Sequence, residues 1–80
     1  MNRQTLHRVI AETPVHVRES RNGKLETSVY EDGNRWRLEI MERYVEGDQT
    51  IIYERFILDK TEAIKEANRL VRAEDRAHEG

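Results

Sequence analysis

From Arg35 to Leu58 the chain reads RWRLEIMERYVEGDQTIIYERFIL, two apolar-rich runs around a short polar turn at Gly47. In the first run Trp36, Leu38 and Ile40 alternate with Arg35, Arg37 and Glu39. Successive side chains of a strand point to opposite faces, so this alternation describes a strand with one buried and one wet face. One such strand cannot bury its apolar face alone; the rest of the chain has to supply partners.

It supplies them through turn signals. Val15 and Val17 alternate with His16 and Arg18, and Leu25, Thr27 and Val29 alternate with Glu26, Ser28 and Tyr30. A three-residue loop over Arg21–Gly23 pairs Val15 with Val29 and Val17 with Thr27, whereas a two-residue loop would send those valines to the other face. Asp32-Gly33 is the strongest hairpin signal in the chain, and with it as the turn Val29 faces Trp36, Thr27 faces Leu38 and Leu25 faces Ile40. Around Gly47, Ile40 pairs with Phe56 and Leu38 with Leu58. These registers share one apolar face.

After Leu58 the period changes. Asp59-Lys60-Thr61-Glu62 reads as a capping box, and Ala63, Ile64, Ala67, Leu70 and Val71 form one stripe of a helix. From Arg72 onward the stripe ends, which predicts a frayed last stretch. At the other end Leu6, Val9 and Ile10 have the spacing of a short helix before Pro14, although Leu6, Arg8 and Ile10 also alternate as in a strand. The expected fold is α+β: a four-stranded antiparallel β-meander packed on one C-terminal helix, with a short N-terminal helix, in a single domain over residues 1–80.

Composition agrees with a thin core. In 80 residues, 36% are hydrophobic and 38% charged, which suits one sheet with one helix better than three layers. At this size a homodimer is an expected source of additional burial. The net charge of −2 argues against wholesale binding to duplex DNA or anionic membranes. There is no cysteine, which excludes disulfides, thiolate metal sites and cysteine nucleophiles. No membrane-length apolar run and no export-type leader are present, so a cytoplasmic protein is the default expectation.

In these registers the uncovered sheet face carries His16, Arg18, Tyr30, Arg35, Arg37, Arg43, Tyr53 and Arg55, with Met41 and Ile57 among them. Five arginines there meet two acids, Glu26 and Glu39, a local excess of +3. Arginine and tyrosine grip phosphates, stack on bases and recur at protein–protein hot spots. The candidate binding residues are therefore Arg18, Tyr30, Arg35, Arg37, Met41, Arg43, Tyr53 and Arg55. The bland alternative is a solvated face with cross-strand ion pairs such as Arg18–Glu26.

Signals for catalysis are sparse. Glu42 and Glu54 face each other in this register, and opposed carboxylates can share a proton, but no nucleophile or metal cluster accompanies them. His7, His16 and His78 lack metal-ligand spacing, and the isolated glycines form no phosphate-cradling loop. No catalytic residue, metal or cofactor is assigned, and an enzyme is not expected.

The order β-β-β-β-α resembles the repeat unit of Pur-type and Whirly-type single-strand binders, which use the open sheet face. Val29-Tyr30-Glu31-Asp32-Gly33, the Val45-Glu46-Gly47 turn and a Phe-containing strand ending in an acidic helix cap resemble small phage anti-CRISPR proteins. That second resemblance implies a stoichiometric inhibitor of a host nucleoprotein complex. The expected partner is a protein, with single-stranded nucleic acid on the same face as the alternative.

Overall fold

A computed structural model describes residues 13–44 and 49–77. The expected N-terminal helix, the turn at Gly47, His7 and His78 lie outside the described residues. Four strands, β1 (His16–Glu19), β2 (Leu25–Asp32), β3 (Arg35–Tyr44) and β4 (Gln49–Ile57), are followed by one helix, α1 (Lys60–Ala77). The strands form one antiparallel sheet in the order β1-β2-β3-β4, the meander expected from the sequence.

The helix begins at the expected cap residue, but only half of the capping box forms, since the Glu62 carboxylate lies 3.9 Å from Lys65 Nζ instead of reaching back to Asp59. Asp59 Oδ2 accepts a hydrogen bond from the Glu62 amide at 2.9 Å, and the Asp59 carbonyl accepts from the Ala63 amide. The first bond gives one of the helix's orphan amides a partner that the helix itself cannot offer, and the second is the first i→i−4 bond of the helix. Ala63, Ala67 and Val71, spaced by four, are fully buried and stack on Leu25, Val29, Leu38 and Ile40. The two alanines bring the helix backbone close enough for the Thr27 hydroxyl, also buried, to reach the Ala67 carbonyl at 3.4 Å. Burying a side chain such as Val29 or Leu38 stabilises by ~1.5–3 kcal/mol, and these few residues carry most of the core. Trp36, Ile57, Ile64 and Leu70 close its rim.

The registers differ from expectation at all three hairpins. At β2–β3 the turn is Gly33–Asn34, with Asp32 opposite Arg35, rather than Asp32–Gly33. Gly33 holds φ +68°, the left-handed region that costs a residue with a Cβ and that a tight hairpin turn requires. The shift is by two residues, so the apolar face is preserved: Val29 faces Leu38 and Thr27 faces Ile40.

At β1–β2 the shift is by one, and it inverts the strand. His16 faces Val29 and Arg18 faces Thr27, so Val15 and Val17 turn outward. The cause is a side-chain network in the loop. Ser20 Oγ donates to Asn22 Oδ1 (2.6 Å) and accepts from the Leu25 amide (3.1 Å), while Asn22 Oδ1 also accepts from the Lys24 amide (3.0 Å). The pair Ser20–Leu25 closes on a four-residue loop, in which Gly23 supplies φ +73°. Outward valines are offset on the helix side, where His16 Nε2 lies 2.9 Å from Asn68 Oδ1.

At β3–β4 the shift is by three and again inverts the strand: Leu38 faces Arg55, Ile40 faces Tyr53 and Trp36 faces Ile57. Phe56 therefore lies on the open face, and Leu58 follows the strand almost fully exposed, so neither forms the floor under the helix. The helix does not fray at Arg72. It runs to Ala77, held by the Arg21 amide donating to Asp75 Oδ1 (2.9 Å) and Asn22 Nδ2 donating to Glu74 Oε2 (3.1 Å).

Candidate functional site

The helix lies mainly on β2, less on β3 and β1, and least on β4. Among the described residues nothing covers the other sheet face, and β4 has the least helix cover on its own side. Across the open face, one row runs Val15, Tyr30, Arg37, Phe56 and the next runs Val17, Ser28, Glu39, Glu54; a third holds Glu19, Glu26, Met41 and Ile52.

Of the eight candidate residues, Tyr30, Arg35, Arg37, Met41 and Arg43 share this face. Arg18, Tyr53 and Arg55 do not: the register inversions of β1 and β4 place them on the helix side. Arg55 there binds Glu66 of the helix at 2.7 Å, so it ties β4 to α1 while about half of its side chain stays exposed.

The charge of the open face is also reversed. Arg35, Arg37 and Arg43 meet five carboxylates, Glu19, Glu26, Asp32, Glu39 and Glu54, rather than a deficit of acids. Arg43 Nη1 donates to the Gly23 carbonyl (2.9 Å) and to Glu19 (3.3 Å), and Nη2 lies 3.4 Å from Glu26. Arg37 is buried, with Nε 3.3 Å from Glu39 and 3.6 Å from Glu54 and its guanidinium 4.6 Å from the Tyr30 ring centre. It sits between two directly opposed acids whose repulsion it offsets. Arg35 stacks on Phe56 at 3.8 Å. These arginines are engaged with acids and rings within the sheet, whereas the expected cross-strand pair Arg18–Glu26 does not form, because the two residues lie on opposite faces.

Four of the more exposed side chains on this face are apolar. Val15, Val17, Ile52 and Phe56 are all 47–57% exposed. None was a candidate from the sequence. The signal for Ile52 was present in the run Ile51-Ile52-Tyr53, where apolar residues on both parities forbid a wet face.

The facing Glu42–Glu54 pair does not form. Glu42 lies opposite Leu25 and Ile51 on the helix side, and Glu54 opposite Glu39 on the other. Glu42 instead accepts a hydrogen bond from the Tyr44 hydroxyl at 2.5 Å, and that bond, with burial and the carboxylate's charge, raises the phenol above its ordinary value. Beside this pair an open groove runs between α1 and the helix side of β4, lined by Ile40, Tyr44, Tyr53, Leu70 and Ala73. Among the described residues no group of three or more His, Asp or Glu is arranged to hold a metal ion, and no helix is long and apolar enough to cross a membrane. No family model, curated protein or solved structure matches the chain.

Proposed function

We propose that the protein is a non-enzymatic interaction module that binds a protein partner through the uncovered sheet face. The observation that carries this reading is the pairing of half-exposed Val15, Val17, Ile52 and Phe56 with arginines already neutralised by neighbouring acids. The exposed apolar side chains stand on the outer strands β1 and β4 and flank paired charges on β2 and β3, and exposed apolar groups beside neutralised charge supply contact area for a partner. Arg35 and Arg43, 41–47% exposed at their side chains, provide a polar rim. The narrower reading, an inhibitor of a host nucleoprotein defence complex, rests on the resemblance to phage inhibitors and adds only a class of partner.

The test uses positions away from β4. Affinity capture from a lysate of the source organism, compared across wild type, Val17→Glu, Met41→Glu and the outer-helix control Lys65→Glu, should return a protein kept by the control and lost by both face variants. A partner held equally by all four would overturn the face assignment.

Single-stranded nucleic acid is the competing reading. Tyr30 and Phe56 favour it as stacking rings; five acids against three arginines count against it, since phosphate binding needs local positive charge. Fluorescence anisotropy with a labelled oligonucleotide at low salt separates the two, and salt-sensitive binding lost on Tyr30→Ala would favour the nucleic acid.

A further inference from the structure

We propose that the outer edge of β4 is a self-pairing edge, on which a second copy of this chain adds its own β4 antiparallel to give one eight-stranded sheet. The sheet has two edges of very different character. β1 is four residues long and carries His16, Arg18 and Glu19. β4 is nine residues long, exposed along eight of them, and contains no proline, glycine or lysine. Natural edges are blunted by shortness, proline, lysine or a covering element. Among the described residues β4 has none of these protections, and its only charges are the neighbouring Glu54 and Arg55. It is instead apolar on both faces, with Ile51, Tyr53 and Ile57 on one and Ile52 and Phe56 on the other.

The strand's sequence selects itself as the occupant. A twofold axis perpendicular to the sheet allows only registers centred on one residue. Centring on Glu54 or Arg55 would set a charge against its own copy, which is destabilising. Centring on Tyr53 pairs all nine residues: Tyr53 meets Tyr53 of the partner copy, Ile52 meets Glu54, Ile51 meets Arg55, Thr50 meets Phe56 and Gln49 meets Ile57. Every charged side chain then lies against an apolar neighbour whose surface its stem covers. A ladder of this length forms roughly nine backbone hydrogen bonds, comparable to the ~10 of an ordinary interface. On the helix side, the groove beside Tyr53 in one copy joins its equivalent in the other, so the two α1 helices flank a trough lined by Ile51 and Tyr53 from both chains. The open faces remain uncovered and become continuous, so this assembly is independent of the face-binding reading.

Sedimentation or light scattering over a concentration series should return twice the monomer mass for the wild type. Tyr53→Lys, which sets two ammonium groups face to face, should weaken self-association by at least about tenfold while its circular dichroism stays that of the wild type. The chain has no cysteine, so register can be read directly. Tyr53→Cys should cross-link on mild oxidation, because opposed Cβ atoms at ~4.5–5.5 Å are within a small adjustment of disulfide spacing. Ile51→Cys or Arg55→Cys alone should not cross-link, and the double variant should. A wild-type monomer at every concentration, or cross-linking indifferent to position, would overturn the proposal whether or not Tyr53→Lys folds. If the chain is monomeric yet the Val17 and Met41 variants lose a captured partner, the face-binding reading stands without the dimer.

Discussion

Glu66 is the residue on which the helix and the last strand meet. It accepts from Arg69 in a fork, at 2.8 and 2.7 Å, and from Arg55 at 2.7 Å. The Arg69 hydrogen bonds, with that of Arg55 and the charge of both, hold its carboxyl down to about 2 against the opposing effect of partial burial. A folded-state value below the unfolded one means stability that is present above 4.5 and lost as pH falls from 4.5 towards 2. At face value the shift is worth ~3 kcal/mol. Both arginines are more than half exposed, so solvent screening reduces this to ~1 kcal/mol. Thermal melts across that acid range should therefore fall more steeply for the wild type than for Glu66→Gln. Equal slopes in the two proteins would show that the triad contributes nothing to the acid transition.

At the scale of elements, legibility follows from how one-sided each element is. β2 and β3 alternate cleanly, so their inner faces could be read from Leu25, Thr27, Val29, Leu38 and Ile40 even with the turn misplaced by one position; the resulting two-residue shift leaves parity intact. β4 carries apolar residues on both parities, and a pattern without a wet face cannot specify which face turns inward. That ambiguity removed Tyr53 and Arg55 from the candidate surface, while β1 lost Arg18 to the bonds of Ser20 and Asn22 in its loop. The helix start was legible because its cap is local. Its end was not, because Glu74 and Asp75 are held by Asn22 and Arg21, more than fifty residues away in sequence. The two ends should differ in energy accordingly. Asp59→Ala removes an amide's capping partner and should cost ~1 kcal/mol. The double change Glu74→Ala, Asp75→Ala breaks contacts exposed to water and should cost less, ~0.5 kcal/mol. Chemical denaturation of both variants measures the order, and a larger loss at the C-terminal end would mean that the loop contacts matter more than the cap.

Across the whole molecule, protection should follow the helix. β2 and β3 are hydrogen-bonded on both sides, and the buried core lies over them. β4 has one hydrogen-bonded neighbour and its main described polar tie to α1 through Arg55 and Glu66, so the fold joins a rigid three-strand unit to a strand that can open at lower cost. Amide hydrogen exchange followed by NMR should be slowest in β2 and β3, while the β4 amides exchange early in dilute protein. Arg55→Ala should speed exchange in β4 and leave β2 unchanged, because it cuts the link without touching the core. Raising the protein concentration should slow the outward β4 amides selectively, since a second copy would bond those groups and no others. Uniform protection across all four strands in dilute solution would contradict this division, and concentration-dependent protection in β1 instead would place self-association at the other edge.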